Sequence, residues 1–307
     1  MIYTLTANPA VDMNFYVNEM TPNKVNRTSD ITYTPNGKGV NVSLVLKHFG
    51  MNSVVLGFFG GFTGKYIVDE LKKGNIEVRP SWIEGDTRIN TFISEEGKEY
   101  KFVNKGPTVT KEVQMELLDE LNNALDCEIL VISGSLPNGI DDSYYDELFN
   151  VCGKKGVDVV LDISSPKLKD LLKYKPLLIK PNDEEIKEVF GIELNNEEDI
   201  KTILKYLYKE GARNILLTLG GRGLYFYDGK KAYYCDAPKI QLKSSACAGD
   251  ACLATFLSEW ATSDDNVDYA LKKASSVGGN VAESYGLGTL SNYSNYIKNL
   301  KVRGVAL

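Results

Sequence analysis

Strand-like apolar runs and amphipathic helical stretches alternate along most of this chain, and that alternation limits the folds open to it. Strands are expected over residues 2–7, 53–58, 128–133, 157–163, 177–180 and 214–219. Helices are expected over 40–49, 64–73, 142–152 and 196–210, with a further stripe of Val113, Leu117, Leu118, Leu121 and Leu125 at helical spacing. Several of the strands are apolar on both faces, and helix-length segments separate them. Such a pattern predicts an α/β fold: a mostly parallel sheet covered by helices on both sides, in three layers. Asp228-Gly229 between residues 223–227 and 231–235 is a hairpin signal, and that hairpin is expected at an antiparallel edge of the sheet.

Two regions break the alternation, about residues 11–35 and 88–104. The second reads as a hairpin of 89–94 and 99–103 around a turn at Glu95–Lys98. Both are too polar for the centre of a buried parallel sheet. They are expected to form a small second sheet, a lid over one end of the first. The chain otherwise reads as one domain, residues 1–307, without repeat or low-complexity linker.

Composition excludes several functions. A net charge of −6 disfavours nucleic acid or an anionic membrane as the main partner. No run reaches the roughly 18 apolar residues of a spanning helix. Five cysteines, Cys127, Cys152, Cys235, Cys247 and Cys252, lack paired metal spacing and fit reduced thiols in a cytoplasm. The single histidine, His48, lies in an otherwise apolar helical stretch and reads as structural. Any catalysis therefore rests on carboxylates, amides, lysine, arginine and backbone.

Ser244-Ser245-Ala246-Cys247-Ala248-Gly249-Asp250 leads into a helical pattern carried by Leu253, Phe256, Leu257 and Trp260. The first N–H groups of a helix lack internal partners and carry the positive end of its dipole. Small side chains let an anion approach them. A carboxylate beside such an anion hole can deprotonate a hydroxyl while the hole holds the phosphoryl group under attack. That reads as phosphoryl transfer. Asn36-Gly37-Lys38-Gly39-Val40-Asn41 precedes another helix, with no Walker A spacing and no dinucleotide-binding glycine pattern. Lys180-Pro181-Asn182-Asp183-Glu184-Glu185 offers oxygen ligands suited to Mg²⁺, and equally suits an acidic first helical turn.

Together these loops resemble the ribokinase-like, or PfkB, family of sugar kinases. Residues Asn36–Val42 resemble its Gly-Gly-Lys-Gly-x-Asn signature, Ala246–Asp250 its Gly-Ala-Gly-Asp signature, and Asn182–Glu185 its Asn-x-x-Glu motif. Ser133-Gly134-Ser135-Leu136-Pro137 and Thr218–Gly223 match further family loops. The resemblance spans about Met1 to Leu290. It implies a ribokinase-like sandwich with a β lid, ATP and Mg²⁺, a sugar phosphate as partner, and a homodimer packed through the lid. Leu5-Thr6-Ala7-Asn8-Pro9-Ala10-Val11-Asp12, Gly85-Asp86-Thr87-Arg88-Ile89-Asn90 and Ser133–Pro137 resemble the branch acting on phosphorylated hexoses. The expected reaction is fructose 1-phosphate to fructose 1,6-bisphosphate. Tagatose 6-phosphate and fructose 6-phosphate are alternative acceptors, and an inactive sugar-phosphate-binding regulator is the alternative of a different class.

The resemblance also implies roles. Asp250 would be the base, with Cys247, Ala248 and Gly249 as the anion hole. Asp12, Gly37, Gly39 and Asn41 would bind the sugar. Lys38 and Arg88 would meet its phosphate, with Lys24, Arg27, Lys101 and Lys105 as weaker candidates. Lys180, Asn182, Thr218, Gly220, Gly223, Gly279 and Asn280 would serve the nucleotide, and Glu185 the Mg²⁺, through a water. Two positions depart from the signatures: Asn36 and Cys247 stand where glycine is usual. At a helix N-terminus, Cys247 reads equally as a thiol of lowered pKa, reactive unless nucleotide protects it, and as a buried, inert thiol.

Overall fold

The computed structural model describes residues 1–28, 30–95, 98–261 and 266–307. Among them the strands, in chain order, are β1 (Ile2–Thr6), β2 (Ala10–Tyr16), β3 (Ile31–Asn36), β4 (Ser53–Gly60), β5 (Glu77–Ile83), β6 (Ile89–Glu95), β7 (Lys98–Phe102), β8 (Ile129–Ser133), β9 (Asp158–Asp162), β10 (Leu178–Ile179), β11 (Ile215–Thr218), β12 (Leu224–Tyr227), β13 (Ala232–Cys235) and β14 (Val302–Val305). Ten of these form one sheet in the order β14-β13-β12-β11-β10-β9-β8-β1-β4-β5. From β11 to β5 every neighbouring pair is parallel, and β12, β13 and β14 add antiparallel strands at one end.

The period of two along each strand divides its side chains between two cores. Tyr3, Leu5, Leu130, Ile132, Val159, Leu161, Ile215 and Leu217 face one core. Helices Lys111–Asn123, Ser143–Lys155 and Glu197–Glu210 bury Leu117, Leu121, Leu148, Ile203 and Leu207 in it. Ile2, Val131, Val160, Leu178 and Leu216 face the other. That side is covered by helices Lys38–His48, Ala248–Trp260 and Val267–Ala282. There Phe256 packs on Phe226 with ring centroids 5.1 Å apart. This is the expected three-layer α/β/α arrangement with a mostly parallel sheet.

The smaller sheet has the order β3-β2-β6-β7. Its strands come from the two polar regions, and β2 pairs in parallel with β6 while β3 and β7 run antiparallel at the edges. Of the turn expected at Glu95–Lys98, residues 96 and 97 lie outside the described residues, as does residue 29 of the first region. The hairpin at Asp228-Gly229 forms as expected but is not the edge, because β14 pairs outside β13. β5 was not anticipated. Its Glu77-Val78-Arg79-Pro80 sequence is too polar for a central strand, and it occupies the opposite edge, where proline and charge are tolerated.

One close approach fixes the helix that follows β3. A Cβ on Gly39 would lie 2.5 Å from Thr6 Oγ1 and 2.7 Å from the Leu5 carbonyl oxygen. Only glycine lets that helix start this close to β1. Behind it, Ser43 shares buried hydroxyl contacts with Thr4 and Ser53, each at 2.8 Å.

Candidate active site

A cleft of about 680 Å³ opens beyond the carboxyl ends of the parallel strands, where ligands of open α/β sheets bind. Residues from the small sheet (Ala10, Asn36, Asn90) close one side. The start of helix Ala248–Trp260 forms its floor.

At that floor, Cys247 takes the cap position with φ 63° and ψ −10°, a left-handed conformation that costs a non-glycine residue about 1–2 kcal/mol. The first intrahelical bond runs from the Ala251 N–H to the Cys247 carbonyl at 2.9 Å, so the N–H groups of Gly249 and Asp250 have no acceptor within the helix. A Cβ on Gly249 would stand 3.3 Å from Lys180 Nζ. Glycine thus leaves room between an ammonium and the helix start, a ready place for an anion.

Asp250 is buried, and burial is the main cause that raises its carboxyl above the usual carboxylate range. The nearby Asp162 charge pushes it the same way. Lys38, a hydrogen bond from Asn41 and Lys180 oppose the rise. The Asn41 Nδ2 donates to Asp250 Oδ2 at 2.9 Å. Asp162, at the end of β9, was not singled out from the sequence. It is fully buried, with Lys180 Nζ 3.0 Å and Lys38 Nζ 3.2 Å from its Oδ1. Despite burial, those two cations hold its carboxyl below the usual range, while Asp162, Asp250 and Glu185 more than offset desolvation of Lys38 and raise its ammonium. An aspartate ending an apolar strand was the available signal, but its partners are far off in sequence.

Lys38 was expected at the phosphate of the sugar. Its ammonium lies against Asp162, with Glu185 Oε1 at 3.9 Å, and the residue lines the cleft. Arg88 does line the cleft. Its guanidinium donates to the carbonyls of Asn8 at 3.0 Å, Asn104 at 3.2 Å and Pro9 at 3.4 Å. Three of its five N–H donors are thereby fixed and two are left over. Lys24 and Arg27 are exposed in the loop between β2 and β3 and do not line the cleft. Lys101 is on β7, paired with Glu99 at 2.9 Å, and neither it nor Lys105 lines the cleft.

Asp12 on β2 is buried behind the cleft wall, and burial raises its carboxyl. Asn90 donates to its Oδ1 at 2.9 Å and Asn36 to its Oδ2. Gly37, Lys38 and Asn41 line the cleft; Gly39 is buried behind them against β1. Asn36 and Asn90 were not expected as functional residues, although both stand in motifs that were.

The far half of the cleft is lined by Lys180, Asn182, Thr218, Gly220, Gly223 and Gly279. Asn280 is not among them: its side chain is buried and accepts from the Asn292 N–H at 3.1 Å, tying the C-terminal segment to the helix. Asn182 and Glu185 form a capping box, with Glu185 N–H to Asn182 Oδ1 at 2.7 Å and Asn182 N–H to Glu185 Oε2 at 3.0 Å. Ser164 also donates to Glu185. Both readings of the acidic turn thus meet in one residue. Among the described residues no cluster of three His, Cys, Asp or Glu is placed to hold a metal by itself. The buried Glu185 carboxylate suits a Mg²⁺ held mainly by phosphate oxygens and waters.

The reading of Cys247 as a thiol of lowered pKa is corrected. Burial, followed by the charges of Asp250 and Asp12, pushes its thiol up rather than down.

A family model described as "pfkB family carbohydrate kinase" matches residues 6–293. The chain is 45% identical over 302 residues to D-tagatose-1-phosphate kinase of Klebsiella oxytoca, covering 98% of this chain and 99% of the relative. It is 37% identical over 257 residues to 1-phosphofructokinase of Bacillus subtilis, covering 84% of each. Phosphofructokinase-2 from Escherichia coli, solved with substrates and products, superposes with a TM-score of 0.88 at 24% identity, covering 97% of this chain and 98% of the other. Among the described residues, no helix is long and apolar enough to cross a membrane.

Proposed function

This chain belongs to the pfkB family of carbohydrate kinases, and from that membership we propose that its cleft moves the γ-phosphoryl group of ATP onto the C6 hydroxyl of a ketohexose 1-phosphate. Phosphorylation of a ketohexose phosphate follows from the relatives; the choice of acceptor is our reading. D-tagatose 1-phosphate comes first, because likeness to the tagatose kinase covers nearly the whole of both chains. D-fructose 1-phosphate, the expectation from sequence, comes second; the two sugars differ only in configuration at C4.

One observation carries the mechanism: a buried carboxylate stands in the first turn of a helix whose opening N–H groups face a lysine. Asp250 takes the proton of the acceptor hydroxyl. The N–H groups around Cys247, Ala248 and Gly249 receive the phosphoryl oxygens. Lys180 neutralises charge developing on the group in flight. Asp162 holds Lys180 and Lys38 at the right distance, and Lys38 acts on this side of the cleft. Asp12, with both oxygens anchored, accepts from sugar hydroxyls, and the two spare donors of Arg88 meet the 1-phosphate. Asn182, Thr218, Gly220, Gly223 and Gly279 hold the nucleotide. Glu185 would hold a Mg²⁺, which would neutralise the ATP phosphates when bound.

The reading also includes a cytoplasmic location, consistent with five free cysteines among the described residues. It includes a homodimer through the small sheet, where Tyr16, Ile31, Tyr33 and Phe102 are exposed. A monomer by light scattering at micromolar concentration would count against the dimer.

The test is ATP-coupled turnover on D-tagatose 1-phosphate, D-fructose 1-phosphate and both 6-phosphates, with wild type and Asp250→Asn. Preference for a 1-phosphate, lost about 10²–10⁴-fold in the variant, is the expected result. Preference for a 6-phosphate overturns the acceptor assignment.

A further inference from the structure

The two departures from the family signatures, Asn36 and Cys247, meet at one side chain. Asn41 Nδ2 lies 2.8 Å from Asn36 Oδ1, 3.3 Å from Cys247 Sγ and 2.9 Å from Asp250 Oδ2. A carboxamide nitrogen carries two hydrogens. Three acceptors therefore share two protons, and Asp250 is one of the three. Asn36 is itself anchored, since its own amide donates to Asp12. Cys247 is held in its left-handed conformation by the helix start, which keeps its sulfur on Asn41. Glycine at either position would supply no side-chain acceptor.

We propose that Asn36 and Cys247 are a coupled pair of positioning residues, which hold the Asn41 amide between them and set how fully it donates to the Asp250 carboxylate. The inference rests on Asp250 being the base. Neither side chain touches the transferring group; both act through Asn41. Asn36 stands at the end of β3 in the small sheet, so the pair also links that sheet to the floor of the cleft.

The charged groups facing Asp250 stay in place in the variants: Asp162 from β9, Lys38 from the helix after β3, and Lys180 from the segment after β10. Asp12, on β2, and Asp250 itself face Cys247. With one competing acceptor removed, two hydrogens serve two acceptors and Asp250 receives an undivided bond. A bond to the ionised form favours that form. Removing the second acceptor adds little, because the shortage is already relieved.

The experiment titrates Asp250 by carbon NMR in protein labelled at the aspartate carboxyl carbon, with Asp250→Asn assigning its signal. Wild type, Asn36→Gly, Cys247→Gly, the double variant and Cys247→Ser are compared, and the acid limb of kcat/KM on D-tagatose 1-phosphate is recorded for each. Each single glycine variant is expected to lower the midpoint by about half a unit to one unit. The double variant is expected to fall no lower than the larger single shift, and Cys247→Ser, which restores an acceptor, to stay with wild type. Unmoved single variants, or a double shift equal to the sum of the two, overturn the pair. NMR midpoints that move as expected while an acid limb stays fixed keep the pair and remove Asp250 as the base.

Discussion

Asp162→Asn tests the charge arrangement beneath the cleft more sharply than any substitution of Asp250. The side chain keeps its shape and loses one negative charge. Lys180, almost fully buried, then loses its recorded ion-pair partner, while Lys38 keeps Glu185 at 3.9 Å. Stranding a buried charge in this way costs about 3–5 kcal/mol. Asp250 offsets part of that cost, since its carboxylate now faces two lysines without a competing carboxylate, which places the expected loss near 3 kcal/mol. For a chain of this length each kcal/mol moves the thermal midpoint by about 1.5 °C, giving a fall of about 5 °C. The same substitution removes a charge that holds the Asp250 pKa up. With Asp250 as the proposed base, burial holds its carboxyl above the usual range, so kcat/KM should fall as pH drops through that raised pKa. In Asp162→Asn the acid limb lies at lower pH. Calorimetry and a pH–rate profile on one preparation read both effects. A midpoint within about 2 °C of wild type together with an unmoved acid limb would refute the argument, because either outcome requires that Asp162 does not pair with the lysines as a carboxylate.

Other outcomes follow from the same geometry. Gly39→Ala should abolish soluble expression or turnover, because its methyl would meet the Leu5 carbonyl and Thr6 at under 3 Å; a well-folded, active variant in thermal unfolding and turnover assays would contradict the close approach. Arg88→Ala should raise KM for a 1-phosphate by about 10–100-fold while leaving KM for ATP within about threefold, read by steady-state kinetics. Iodoacetamide should modify Cys247 slowly at pH 7, since burial and two carboxylates keep the thiol protonated; rapid labelling seen by peptide mass analysis would oppose that assignment.

The parts of this protein written in local patterns were legible in its sequence. Apolar runs such as 129–132 and 159–161 announce strands buried on both faces, and glycine-rich segments at their ends announce the cleft. Asp228-Gly229 marks its hairpin without help from the rest of the chain. What the sequence hid depends on tertiary partners. Asp162 is an unremarked strand-end residue until Lys38 and Lys180 reach it from separate elements. Lys38 reads as a free cation until that carboxylate claims it. Lys24 and Arg27 carry suitable charge, but charge alone does not say which way a loop faces. β14 is short and half exposed, so only pairing with β13 makes it a strand.

The position of β1 has a consequence for how the protein is made. β1 lies inside the sheet, between β4 and β8, and is made before both of them, with its side chains buried on both faces. Its parallel partner β4 ends at Gly60, and its other partner β8 ends only at Ser133. At about 5–20 residues per second, the stretch from the end of β4 to the end of β8 takes roughly 4–15 seconds to make. During that interval β1 has a strand on one side and no strand on the other. The growing polypeptide is then a substrate for holding chaperones, and synonymous codon changes that slow translation between residues 60 and 133 should lower its soluble yield without altering a single contact in the finished enzyme.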